Sequence, residues 1–185
     1  MLVTLTQKEG GLGWSPLLRR AATASQNEDH VPSKSKGAKV FFTNSGTEAN
    51  EGALKIARMA GKHRWSEKTG QAWEAPGARC DKYRIACFEH GFHGRSMGAL
   101  SVTTNSKYQT PFMPLLPGVD VGPLNDEAGL QTIVTDATCA VIVEPVQGEG
   151  GVNASQLEWL YKLRQRCDET GAVLIFDEIQ VSTRL

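Results

Sequence analysis

Two carboxylates stand where apolar runs stop abruptly. Cys139–Glu144 ends at Glu144 and continues Pro-Val-Gln-Gly-Glu-Gly-Gly, and Ala172–Asp177 ends at Asp177 and continues Glu-Ile-Gln. A carboxylate at the tip of a buried strand needs a partner, because burying it alone is costly. A cationic heteroaromatic nitrogen would suit Asp177, and the ion pair would hold that nitrogen protonated. Capping of a neighbouring helix or pairing with a basic residue is the alternative, and Glu144 and Glu149 carry the same ambiguity. A second cluster, Asn44–Asn50, reads Asn-Ser-Gly-Thr-Glu-Ala-Asn ahead of a helical pattern. Free backbone amides and the positive end of a helix dipole bind phosphate. Ser45 and Thr47 add hydroxyls, and Gly46 permits close approach. An ordinary capped helix is the competing account. A third cluster is Phe92-His93-Gly94-Arg95: Phe92 could stack on a flat ligand and Arg95 could clamp a carboxylate. Taken singly, they read as a core aromatic, a satisfied surface histidine and a solvated charge.

The elements that must position these residues follow from apolar periodicity. Lys39–Asn44 reads as a buried strand running into a helix with Ala49, Ala53, Ile56, Ala57 and Ala60 on one face. Ser45 and Glu48 form its capping box and Gly61 its stop. Glu67–Cys80 is polar and reads as a surface loop. Tyr83–Phe88 is the next strand, and Ser96–Val102 a short helix or turn. Lys107–Val121, with Pro111, Pro114 and Pro117, reads as irregular. Asn125–Asp136 fits a helix and Cys139–Glu144 a third strand. Ser155 and Glu158 suggest a second capping box, opening a helix with Leu157, Leu160, Leu163 and Cys167 on one face and Gly171 as its stop. Ala172–Asp177 is the fourth strand. Short apolar runs separated by helices are buried parallel strands, and ligands sit beyond their carboxyl ends. The clusters therefore converge on one sheet edge. A phosphate cradle, a stacking aromatic, a carboxylate for a ring nitrogen and a carboxylate-binding arginine together fit pyridoxal phosphate. There is no Gly-x-x-x-x-Gly-Lys-Ser/Thr or Gly-x-Gly-x-x-Gly segment, which disfavours a nucleotide.

Composition narrows the classes further. The 185 residues are 40% hydrophobic, enough for one α/β domain with a core. Twenty basic and 20 acidic residues cancel, giving no electrostatic reason to expect nucleic acid or an anionic membrane. No apolar run approaches the ~20 residues that span a bilayer. Cys80, Cys87, Cys139 and Cys167 show no C-x-x-C pairing, so structural thiols are expected rather than metal ligands. Residues 1–38 read as a leader or poorly ordered remnant and 39–185 as a partial cofactor-binding domain. Leu17–Ser25 is basic and Ser/Ala-rich, as transit peptides can be, although Glu9 and a glycine-rich run precede it.

Phe41–Glu51, Phe92–Arg95, Val143–Gly151 and Asp177–Gln180 together resemble the class III pyridoxal-phosphate aminotransferases. Within that family the sequence is most similar to the acetylornithine aminotransferases of arginine biosynthesis, particularly the fungal mitochondrial form. The resemblance implies the large domain of a fold-type-I transferase, a mostly parallel sheet flanked by helices, here incomplete. It implies that Gly46 and Thr47, with Ser45 beside them, hold the cofactor phosphate. Phe92 would stack on the ring, Asp177 pair with the pyridinium nitrogen, and Gln180 face the phenolic oxygen. Arg95 would contact the substrate carboxylate, Glu144 support the site, and Glu149 sit near the entrance. The implied reaction moves an amino group from acetylornithine to 2-oxoglutarate, with ornithine, succinylornithine or 4-aminobutyrate as alternative donors. A homodimer in the mitochondrial matrix is implied for the intact family member, with the cytoplasm as alternative. Family members carry a Schiff-base lysine some tens of residues beyond Asp-Glu-Ile-Gln. No lysine follows Lys162 here. The expectation is a fragment truncated before that lysine, inactive alone, which binds the cofactor weakly or pairs with a full-length subunit.

Overall fold

The computed structural model describes residues 40–180. Residues 1–39, with the proposed leader and transit-like stretch, and the last five residues lie outside the described part. A compact unit begins at Thr43. Its centre is a four-stranded, wholly parallel sheet in the order β2-β1-β3-β6. The strands are β1 (Arg84–Phe88), β2 (Val119–Gly122), β3 (Thr138–Val143) and β6 (Val173–Phe176). A two-stranded antiparallel ribbon, β4 (Val146–Gln147) and β5 (Asn153–Ala154), follows β3. Helix α1 (Gly46–Thr69) covers one face of the sheet, where Leu54 and Ala57 pack with Ile85, Cys87, Cys139 and Ile142. On the other face, α5 (Leu157–Thr170) buries Trp159, Leu160, Leu163 and Cys167, and the Trp159 indole meets the Phe88 ring edge-on at 4.9 Å. β3 is buried along its whole length. That is the expected consequence of a parallel strand covered by helices on both sides.

Several local expectations are corrected. Val40–Phe42 is not a strand; Phe41 and Phe42 are 79% and 88% exposed. An apolar run shows only that a strand could be buried, and β1 already has its neighbours in β2 and β3. The edge strand β2 was hidden by the prolines before it and by Asp120, whose carboxylate takes the Arg84 guanidinium across the strand pair. The Lys107–Val121 segment is otherwise one helical turn, α3 (Ser106–Gln109), a 3₁₀ turn at Thr110–Phe112, and loop. Of Asn125–Asp136 only α4 (Leu130–Ile133) is helical, because Asn125 at φ 63° turns the chain out of helical geometry. Ser155 and Glu158 make no capping box. Ser155 Oγ donates to Glu144 O, Gln156 is the N-cap, and its amide donates to Asn125 Oδ1 at 2.7 Å. Leu157 is 55% exposed, and Trp159 takes the core position instead. Gly171 does stop α5, in the left-handed conformation.

Helix α1 carries the most informative correction. It does not stop at Gly61 but runs to Thr69, with Gly70 as its left-handed cap. Its buried stripe is Asn50, Leu54, Ala57 and Gly61, whereas Ile56 is 64% exposed. Gly61 is a contact rather than a terminator. A Cβ there would lie 2.6 Å from Cys139 Cβ and 2.9 Å from Lys82 O, so the helix backbone presses directly on the start of β3. Lys82 is itself buried, and its ammonium donates to the carbonyls of Asp136, Thr138 and Thr170 at 3.0, 3.0 and 2.7 Å. It thereby joins the segments that enter β1, β3 and β6. Burial lowers its pKa, against the pull of Asp136.

Gly61→Ala should destabilise the protein by about 1–3 kcal/mol, since overpacking against Cys139 and a fixed carbonyl outweighs the gain of about 1 kcal/mol in helix propensity. A urea midpoint equal to or above the parent's would contradict that contact.

Candidate functional site

All four sheet strands run in one direction, so their carboxyl ends share an edge, and the loops leaving β1, β3 and β6 meet there. A cleft of about 290 Å³ opens at that edge, lined by Gly46, Thr47, Phe92, His93, Gly94, Arg95, Asp177, Ile179 and Gln180. Six of the residues singled out from sequence therefore line one space: Gly46, Thr47, Phe92, Arg95, Asp177 and Gln180. The other three lie beside it. Ser45 is the N-cap of α1. Glu144 stands behind Phe92, and Glu149 lines a neighbouring cleft of about 360 Å³ that shares Phe92.

The helix start is built as a donor site. Ser45 Oγ accepts from the Glu48 amide at 3.4 Å, while Glu48 reaches back to the Asn44 amide at 2.8 Å, one residue beyond the usual capping-box partner. The first helical bond runs from the Ala49 amide to Ser45 O. The Gly46 and Thr47 amides precede it and face the cleft end, where the dipole of a 24-residue helix is positive. The Thr47 hydroxyl lies 2.8 Å from Ser96 Oγ. Gly94, at φ 128°, fits beneath it; a Cβ there would lie 2.3 Å from Thr47 Oγ1.

Asp177 continues β6 by donating its amide to Val143 O. The residue is 7% exposed, and Oδ2 accepts from Asn50 Nδ2 and from the His93 ring nitrogen Nδ1, each at 2.8 Å. Oδ1 accepts from the Ile179 amide at 3.1 Å, which leaves it capacity for a further donor. Burial works against the charge, but the hydrogen bonds and charge of His93 and the bond from Asn50 overcome it and hold the carboxyl below its ordinary pKa. Glu144 goes the other way. Burial, helped by repulsion from Asp177, raises its pKa against the Phe92 amide that donates to it at 2.9 Å. Two carboxylates at one edge thus have opposite tendencies, which is a mark of functional sites.

The structure adds residues the sequence patterns did not flag. His93, read as a surface histidine, is 3% exposed and grips Asp177. Asn50 joins Asp177 to the His93 carbonyl, at 2.7 Å. A polar residue in line with Leu54, Ala57 and Gly61 at helical spacing was the available signal. Glu51 Oε1 accepts from Ser96 Oγ and from the Gly98 and Ala99 amides, capping α2 (Met97–Ser101) from another helix. Burial opposes that charge, yet these donors lower its pKa. Thr103 Oγ1 accepts from the His93 amide at 2.8 Å and donates to Gly94 O, and Thr104 links Gly91 to Phe88. No short motif announces these threonines. Among the described residues no group of His, Cys, Asp or Glu could hold a metal ion, and no helix is long and apolar enough to cross a membrane. None of the four cysteines is disulfide-bonded. Burial pushes the Cys87 and Cys167 thiols up to about 12.

Comparisons with known proteins converge on the same arrangement. The mitochondrial acetylornithine aminotransferase of Yarrowia lipolytica is 51% identical over 168 residues, 90% of this chain and 36% of that protein. The succinylornithine transaminase of Yersinia enterocolitica is 48% identical over 142 residues, 77% of this chain and 33% of its own length. The chain thus spans about a third of the curated relatives it matches. The crystal structure of ornithine aminotransferase from Toxoplasma gondii ME49 superposes with a TM-score of 0.62 at 32% identity, covering 76% of this chain and 31% of that one. The sheet and its helices are accordingly part of the large domain of a fold-type-I pyridoxal-phosphate-dependent transferase. With the profile of the class-III aminotransferases matching residues 16–183, the chain belongs to that family, whose cofactor is pyridoxal phosphate.

Proposed function

We propose that this segment forms the cofactor cleft of an acetylornithine aminotransferase, which moves an amino group from N-acetylornithine to 2-oxoglutarate. One observation carries the reading: a buried aspartate held ionised by Asn50 and His93 lines the same cleft as the amino end of α1. A flat, phosphorylated, nitrogen-containing ring fits that donor set. The Gly46 and Thr47 amides, with Ser45 beside them, receive the phosphate. Gly94 lets the Thr47 side chain pack against the loop backbone, as a Cβ there would meet Thr47 Oγ1 at 2.3 Å. Phe92 covers one face of the ring. Asp177 keeps a proton on the ring nitrogen, and Gln180 faces the phenolic oxygen. When bound, pyridoxal phosphate supplies an electron sink for breaking bonds at the amino carbon. Arg95 orients the substrate through its carboxylate, Glu144 fixes Phe92 through its amide, and Glu149 lies at the entrance. This assigns cofactor and substrate binding to the segment.

The identity to the Yarrowia lipolytica enzyme favours N-acetylornithine as donor, and the similar identity to succinylornithine transaminase favours an acylated ornithine more generally. A homodimer of the intact polypeptide and the mitochondrial matrix, from the names of fungal relatives, belong to the same proposal.

The intact polypeptide carrying this segment, supplied with pyridoxal phosphate, should form glutamate from 2-oxoglutarate at least about tenfold faster with N-acetylornithine than with ornithine or 4-aminobutyrate. Equal rates would overturn the donor assignment, and no glutamate with any of them would overturn the reaction. In that polypeptide Asp177→Asn should slow transamination by about 10²-fold while weakening cofactor binding far less. Equal losses would make Asp177 structural only. Because the native pKa of Asp177 is lowered, its contribution to stability is complete above the ordinary aspartate range. It falls as pH drops below that range and is gone once pH passes its native pKa. Urea unfolding at successive pH values should therefore show the gap between parent and Asp177→Asn narrowing on acidification. A pH-independent gap would show that the charge plays no part.

A further inference from the structure

Tyr108, on the single turn α3, is half-buried and touches three residues that line the two clefts. Its ring meets Phe92 edge-on at 5.8 Å. The Arg95 guanidinium lies over the same ring, 4.5 Å from its centroid. Its hydroxyl donates to Glu149 Oε1 at 2.6 Å. A cation and a carboxylate thus rest on one phenol without meeting, and among the described residues Arg95 forms no ion pair. Opposite charges on flexible side chains this close attract, and a carboxylate that closed on Arg95 would occupy the planar fork that binds carboxylates. The phenol prevents this by giving Glu149 another donor, while its face gives the guanidinium a platform that uses none of its N–H groups. The bond to Glu149 also raises the phenol's pKa above its ordinary value. Phe92 packs on the same ring, so the stacking aromatic and the arginine share one support.

The geometry points to Tyr108 as a positioning residue that keeps Arg95 open to an incoming carboxylate by holding Glu149 away from it. This deepens the reading of the cleft given above and rests on it for the identity of the carboxylate as substrate.

The test titrates glutarate, an unreactive dicarboxylate, into the full chain by calorimetry, with and without pyridoxal phosphate. Tyr108→Phe keeps the platform but frees Glu149, and should weaken glutarate binding about tenfold. Tyr108→Phe combined with Glu149→Gln should return affinity to within about threefold of the parent. Tyr108→Leu, which removes the platform, should weaken binding without rescue by Glu149→Gln. Glutarate affinity unchanged in Tyr108→Phe, a loss not rescued by Glu149→Gln, or a parent that binds no glutarate in either form would each overturn the inference. Glu149→Gln alone should also bring the ionisation of one tyrosine to lower pH in the absorbance of the parent fold. An unaltered tyrosine titration would overturn the hydrogen bond. Cofactor uptake, read separately from its own absorbance, tests the proposed function. A chain that takes up none while glutarate still follows the Tyr108 and Glu149 substitutions would defeat that function and leave the positioning role standing.

Discussion

The carboxylate of Asp177 fixes the arrangement of everything around it. A nearly buried anion is tolerated only with donors supplied from the protein, and here they come from three separate elements: Asn50 on α1, His93 after β1, and the Ile179 amide beyond β6. Each donor has one productive position. The charge therefore dictates how α1 lies across the sheet, how the β1 loop folds back, and how the chain leaves β6. Asn50 makes this mutual, because the same amide group also holds the His93 carbonyl.

A second set of bonds carries that order to the rest of the cleft. Glu51, next to Asn50, caps α2 and holds Ser96, and Ser96 in turn meets the Thr47 hydroxyl at the helix start. The amino end of α1 and the loop that bears Arg95 are thus tied to one helix. Thr103 and Thr104 close the loop from below. Glu144, whose pKa rises where that of Asp177 falls, differs in having only backbone amides as donors, from Phe92 and Gly148, with the His93 charge offset by repulsion from Asp177. Burial therefore dominates for one carboxylate and hydrogen bonding for the other.

The residues that line the cleft were legible in sequence because their chemistry shows in short motifs: a small-residue turn before a helix, and carboxylates at the ends of apolar runs. The parallel architecture was legible for a related reason, since β1, β3 and β6 are short apolar runs with helix-length spacers. What stayed hidden was whatever depends on contact between distant segments. Gly61 looks like a helix stop until β3 is pressed against it. His93 looks like a surface residue until Asp177 is found beside it. Phe41 and Phe42 look like a strand but stand exposed, and β2, reached through a proline-rich segment and carrying an aspartate, holds the edge beside β1. Local patterns report what a residue can do, and only the assembled sheet decides which possibility it takes up.

Lys82 sits at the opposite end of that sheet, binding three carbonyls where β1, β3 and β6 begin. The strands are therefore clasped at the rim opposite the cleft, by a group outside its lining. A fold secured from behind can vary its front: loops at the open rim can change while the clasp preserves strand alignment.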